Sequence, residues 1–283
     1  MTIALAARAK INLALHVTGR RADGYHTLDS IVAFTDIADT VTVRDAPTLS
    51  LTITGPFAWG LSDQSNLCLI AARALSPTKG AHITLHKSLP VASGIGGGSA
   101  DAAATLRALC DLWSLPLPPP EVVLALGADV PACLLGRSAR MQGIGQVLTP
   151  VALPEAHIVL VNPGEPVPTA QVYHDLDTRG DLRARDTSPL PDRLPGCADV
   201  QDLARFLADL RNDLEYPAAL ICPEISEVLF DLAQRKGCLL ARMSGSGGTC
   251  FGLFQDEDSA FWAARMLGHA HKDWWVQAGR LLA

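Results

Sequence analysis

The chain has 283 residues, 48% of them apolar and 18% charged, enough for one large or two medium cores. A formal charge of -6 argues against a nucleic-acid partner, and no apolar run reaches the roughly 18 residues of a membrane span. The seven cysteines never form C-x-x-C and several sit in apolar segments, which points to free thiols in a cytoplasmic protein without structural zinc.

Residues 3–17 alternate as a strand does, without the cationic start and cleavage site of a signal peptide, and read as mature protein. Within this strand Lys10 and Asn12 share one face while Ile11 and Leu13 point the other way, into the core. A lysine and an amide there either lie on a solvated face or meet a ligand. The segment 19–30 is polar and turn-like, with adjacent Tyr25 and His26 able to stack on and hydrogen-bond to a ring. Strands are expected over 31–45, 49–54 and 81–87, with a helix capped by Ser65 or Asn66 running to about Ser76.

The stretch 87–112 passes from a strand end through glycines 94, 96, 97 and 98 into an alanine-rich helix over 99–113. Such a run exposes backbone N–H groups to one concave point, and the helix start aims its own unpaired N–H groups there. A polyphosphate suits this place; the other reading is a glycine-rich surface turn. The lysine of a P-loop is missing, and Ser99 stands where a dinucleotide fingerprint needs glycine. After a proline break, a helix over 119–126 leads to Asp129 in a nearly apolar passage. Pro131 is expected to push Val130 out of helical geometry, leaving Asp129 just past a helix end as a local cap or a site residue.

A polar hairpin region at 137–146 and prolines 150 and 154 suggest domains of 1–152 and 153–283. A strand at 157–163, a short helix from Thr169 and a loosely packed loop over 178–197 follow. The segment 211–217 joins two helical stretches, and another helix runs from Pro223 to Gly237. Strands 238–243 and 249–254 flank the turn 244–248, then come a helix at 258–270 and a strand at 274–282. This is an α+β arrangement with an antiparallel sheet.

Three segments together resemble the GHMP small-molecule kinases: residues 9–30, residues 89–103 and residues 126–136, supported by N-D-L-E at 212–215 and M-S-G-S-G-G-T-C-F at 243–251. The departures are mild, such as Ala100 where a second serine is common. The resemblance implies a two-domain fold, with an N-terminal domain of ribosomal-protein-like topology and a C-terminal ferredoxin-like α/β plait. The strand near 274–282 is expected to pack back on the N-terminal domain. D-G-Y-H with A-D-V-P further implies an acceptor alcohol, the 2-hydroxyl, on a cytidine diphosphate-linked methylerythritol, in the non-mevalonate route to isoprenoids. The alternative is a superfamily member acting on mevalonate, a sugar or homoserine.

The same resemblance implies residue roles. Asp129 takes the hydroxyl proton and Lys10 steadies the developing charge. Asn12, Tyr25, His26, Thr169 and Tyr173 hold the substrate, the aromatic residues around its cytosine. ATP is held by Asn66, Lys87, Pro90, Ser93, Gly94, Ile95, Gly96, Gly97, Gly98, Ser99, Ala100 and Asp101, with Gly245, Ser246 and Gly247 closing against the loop. Mg²⁺ comes with the ATP phosphates, helped by Ser99, without a protein cage of its own. The expected partner is the small-molecule substrate, not nucleic acid or membrane, and the expected state is a monomer or weak homodimer. Phosphoryl transfer asks mainly for placement and charge neutralisation, which backbone N–H groups and an aspartate beside a lysine can supply.

Overall fold

Alternating apolar side chains carry the first two strands further than the polar segment between them suggests. The computed structural model describes residues 1–61, 65–179, 186–192, 194 and 196–282. In it β1 (Thr2–Arg20) and β2 (His26–Asp45) pair with each other. Only residues 21–25 turn, closed by the Arg21 N–H donating to the Tyr25 carbonyl at 2.7 Å. Residues 26–30 are strand, not turn, because Asp29 and Ser30 find buried side-chain partners that free their backbone to pair. Both faces of β1 are buried around residue 11, so Lys10 and Asn12 lie inside, as do Ile11 and Leu13.

β3 (Ser50–Thr54) is followed by α1 (Leu67–Leu75), whose first turn is capped by Asn66 accepting from the Cys68 N–H. β4 (Ala81–His86) leads through the glycine loop to α2 (Gly97–Trp113), which starts two residues earlier than expected. α3 (Pro120–Leu126) and α4 (Val130–Leu135) come next. The expectation for Val130 is corrected: it opens α4, with Pro131 in the first turn, where a missing N–H costs nothing. Asp129 lies, as expected, just past the end of α3, but it also stands immediately before α4, and its side chain makes no capping bond.

β5 (Ala139–Gly143) and β6 (Val147–Pro150) form a hairpin before β7 (Ala156–Asn162) and α5 (Thr169–Arg179). Helices α6 (Val200–Ala208), α7 (Glu215–Ile221) and α8 (Glu224–Ala233) precede the antiparallel pair β8 (Cys238–Met243) and β9 (Cys250–Phe254). α9 (Glu257–Ala270) and β10 (Trp275–Leu282) follow.

These elements make two compact units, each discontinuous in sequence. The first holds residues 1–10, 38–91 and 96–136. There β4 pairs parallel with β3 and antiparallel with the end of β2, and the small faces of α1 and α2 bury Ala71, Ala72, Ala102 and Ala103. The second holds residues 11–37, 92–95 and 137–283. Its antiparallel sheet runs β2-β10-β7-β9-β8, with a core that includes Val159, Leu232, Phe254 and Leu267. β1 and β2 contribute to both units, so the division is not one cut near 152. β10 pairs with β7 along its length and with β2 at Leu281 and Leu282.

The loop expected to pack loosely is tied down at 186–192. Leu190 is buried, its N–H donates to Asp29, and Arg140 donates to the carbonyls of Leu190, Pro191 and Asp192. Residues 180–185, 193 and 195 of the same loop lie outside the described residues.

Candidate active site

In the first unit, Lys10 Nζ lies 3.1 Å from Asp129 Oδ2. The lysine side chain is 4% exposed and the aspartate 32%, so the ammonium is sealed while the carboxylate keeps an open side. The solvated reading of Lys10 and the capping reading of Asp129 both fall. Gly96 lies directly over this pair, at a φ of 65° that favours glycine. A Cβ there would stand 3.2 Å from Lys10 Cε and 3.7 Å from Asp129 Oδ2. The first intrahelical bond of α2 runs from the Ala100 N–H to the Gly96 carbonyl at 2.8 Å. The N–H groups of Gly97, Gly98 and Ser99 precede it in the helix-start position that favours an anion.

Beneath the loop, Lys87 Nζ sits between two buried carboxylates, donating to Asp39 Oδ2 and, at 2.8 Å, to Asp101 Oδ2. Asp39 Oδ1 also accepts from the N–H groups of Ser88 and Leu89, while Asp101 Oδ1 is buried without a hydrogen-bond partner. One ammonium between two carboxylates leaves a negative charge in excess. Burial, which Lys87 only partly offsets and Asp39 reinforces, pushes Asp101 up to about 7. Burial works against the Lys87 charge, but the two carboxylates outweigh it and raise that group. A Cβ on Gly97 would lie 3.5 Å from Lys87 Nζ. Lys87 and Asp101 thus brace the loop from inside. Asn66 caps α1, and Pro90, Ile95 and Ala100 are buried.

In the second unit, Asn12 is held at two points. Its N–H donates to Ser244 Oγ at 3.0 Å and its Nδ2 to Ser30 Oγ at 2.8 Å. Ser244 Oγ in turn donates to the Gly94 carbonyl at 3.1 Å, and the Thr249 N–H to the Ser93 carbonyl at 3.0 Å. Gly94 has a φ of 75°, and a Cβ on it would stand 2.5 Å from the Ser244 carbonyl oxygen. No larger residue fits there. Gly245 approaches the Gly94 carbonyl, Asn212 holds the carbonyls of Met243 and Gly245, and Thr169 and Ser246 share a 2.7 Å hydrogen bond.

His26 stacks on Tyr173, ring centroids 4.7 Å apart and planes at 22°. Tyr25, next to His26 in the chain, is 63% exposed. Asp39, Ser30 and Asp177 escaped sequence reasoning, because a lone acid or serine in a strand or helix has no periodic signature. Among the described residues no three His, Cys, Asp or Glu side chains cluster to hold a metal. Ser99 lies in the first turn of α2.

Residues 57–137 match the family described as GHMP kinases N terminal domain, and residues 195–272 match GHMP kinases C terminal. The chain is 57% identical over 279 residues to the 4-diphosphocytidyl-2-C-methyl-D-erythritol kinase of Cereibacter sphaeroides, covering 98% of each. It is 52% identical over 286 residues to that of Ruegeria pomeroyi, covering both completely. A crystal structure of 4-(cytidine 5'-diphospho)-2C-methyl-D-erythritol kinase superposes with a TM-score of 0.80 at 36% identity, over 99% of this chain and 100% of that one. This chain belongs to the GHMP kinases and, among them, to the 4-diphosphocytidyl-2-C-methyl-D-erythritol kinases.

Proposed function

We propose that this protein transfers the γ-phosphoryl group of ATP to the 2-hydroxyl of 4-diphosphocytidyl-2-C-methyl-D-erythritol, releasing the 2-phosphate and ADP. The observation that carries the reading is the Lys10–Asp129 pair lying against Gly96 at the start of α2. A proton acceptor and an anion-binding helix start adjoin there, as alcohol phosphorylation requires. Asp129 takes the hydroxyl proton on its open side, and buried Lys10 fixes the carboxylate and balances charge at the acceptor. The N–H groups of residues 97–99 hold phosphate oxygens, and the Lys87–Asp39–Asp101 cluster keeps that loop in place. ATP supplies the phosphoryl group, and Mg²⁺ carried by its phosphates would neutralise their charge.

Asn12, pinned by Ser30 and Ser244, binds the methylerythritol end, and Thr169 binds a substrate hydroxyl or phosphate. Tyr25, His26 and Tyr173 take the cytosine. The setting is cytoplasmic and the partner a small molecule. ADP release with Mg²⁺ and ATP, compared across this substrate, mevalonate, galactose and homoserine, tests the reading. Turnover confined to the first is expected; turnover on another alcohol alone overturns the substrate assignment.

A further inference from the structure

The aromatic pair in the second unit has charged neighbours that no motif singles out. His26 Nε2 lies 2.8 Å from Asp177 Oδ1, and Asp177 Oδ2 lies 3.1 Å from Arg20 Nη1. The side chains of His26 and Asp177 are 10% and 14% exposed, so this is a built contact and not a passing surface pair. Tyr173 and Asp177 stand one turn apart on α5, which puts the ring that covers His26 and the carboxylate that binds it on one helix face. Arg20 closes β1 as His26 opens β2, so the hairpin turn sets the cation beside the same carboxylate.

An ionised carboxylate only accepts hydrogen bonds, so Nε2 bears the hydrogen at this contact. In the neutral ring Nδ1 then holds a lone pair. No hydrogen bond ties Nδ1 among the described residues. Cytosine and uracil differ at one ring position, where cytosine carries an amine that donates and uracil a carbonyl that accepts. An imidazole locked with an acceptor at Nδ1 favours the first and repels the second.

We propose that Asp177 is a positioning residue for nucleobase specificity. By taking the Nε2–H of His26, it fixes Nδ1 as the acceptor for the exocyclic amine of cytosine. Arg20 balances the Asp177 charge so that the carboxylate stays directed at His26. The proposal rests on the reading of His26 as a cytosine contact.

The test is steady-state kinetics at one fixed pH. Asp177→Asn and Asp177→Glu are assayed with the cytidine substrate and its uridine diphosphate analogue. Asp177→Asn can present its amide N–H to Nε2 and reverse the tautomer. It is expected to raise KM for the cytidine substrate about 10-fold, the scale of one hydrogen bond, with kcat and the KM for ATP unchanged. The cytidine-over-uridine ratio of kcat/KM should narrow by a similar factor. Asp177→Glu, which keeps the acceptor, should restore that ratio at least in part. An unchanged ratio in Asp177→Asn overturns the proposal, as does equal loss in both variants with kcat and ATP affinity falling together. Tyr173→Ala and His26→Ala separate the two levels. If both leave KM for the cytidine substrate unchanged, the base-site reading itself fails. If they raise it while Asp177→Asn does not, only the role of Asp177 fails.

Discussion

Lys10 and Asp129 form an asymmetric pair, the ammonium sealed and the carboxylate one-third open. That asymmetry fits the parts proposed for them, the carboxylate being the more open group. Asp129→Asn preserves shape but loses the proton acceptor, and kcat should fall by about 10²- to 10⁴-fold. Lys10→Met should lower kcat comparably, while calorimetry finds ATP binding largely intact in both. Near-native kcat in either variant would remove that residue from the chemistry. The sequence made both residues visible as charges within apolar passages, a pattern that needs a partner. Their pairing was legible only through the family resemblance, because 118 intervening residues separate their positions and no local periodicity joins them. Tyr25 and His26 were likewise legible as neighbours in a turn, whereas the stack of His26 on Tyr173 depends on how α5 is placed.

At the scale of elements, α2 follows the glycine loop and begins with Gly96 against Lys10 and Gly97 against Lys87. Gly96→Ala puts a Cβ against Lys10 at a left-handed φ, costing about 1–2 kcal/mol of stability. Because the displaced neighbour is the Lys10–Asp129 pair, kcat should fall along with the urea midpoint. A stable variant with full activity would show that the loop tolerates displacement there. The buried cluster under the loop has a pH signature. Asp101 holds its proton up to about 7 in the fold but only to 3.8 by its ordinary value. The folded state therefore binds the extra proton between those limits, and this contribution to stability declines as pH rises through that window. Asp101→Asn has no proton to lose, so its Tm relative to the native chain should climb from about pH 4 to about pH 7 and level off above. A constant difference across that range would mean that Asp101 is already ionised in the fold. Strands and helices were mostly legible because alternation and alanine content are local. Val130 was misread because a proline's effect depends on whether a helix is starting or ending, and residues 186–192 were misread because their anchors, Asp29 and Arg140, are distant in sequence.

Across the whole molecule, neither compact unit is a continuous piece of chain, since β1 and β2 serve both. A fragment of residues 1–152 would carry strand segments 11–37 without the sheet partners that residues 153–283 supply. The position of β10 bears on biosynthesis. It lies between β2 and β7, yet follows every other strand in the sequence. While the ribosome is still translating that region, β2 and β7 each present an unpaired backbone edge, the kind of surface on which nascent chains associate. A chain stopped before Trp275 should accordingly elute as large assemblies in size-exclusion chromatography, where the full chain gives a discrete peak. Recovery of a discrete, folded species from the shortened chain would show that the sheet closes without its central strand. If the edges behave as described, a trigger-factor-type chaperone that shields nascent strands would raise the yield of the full chain and do nothing for the shortened one.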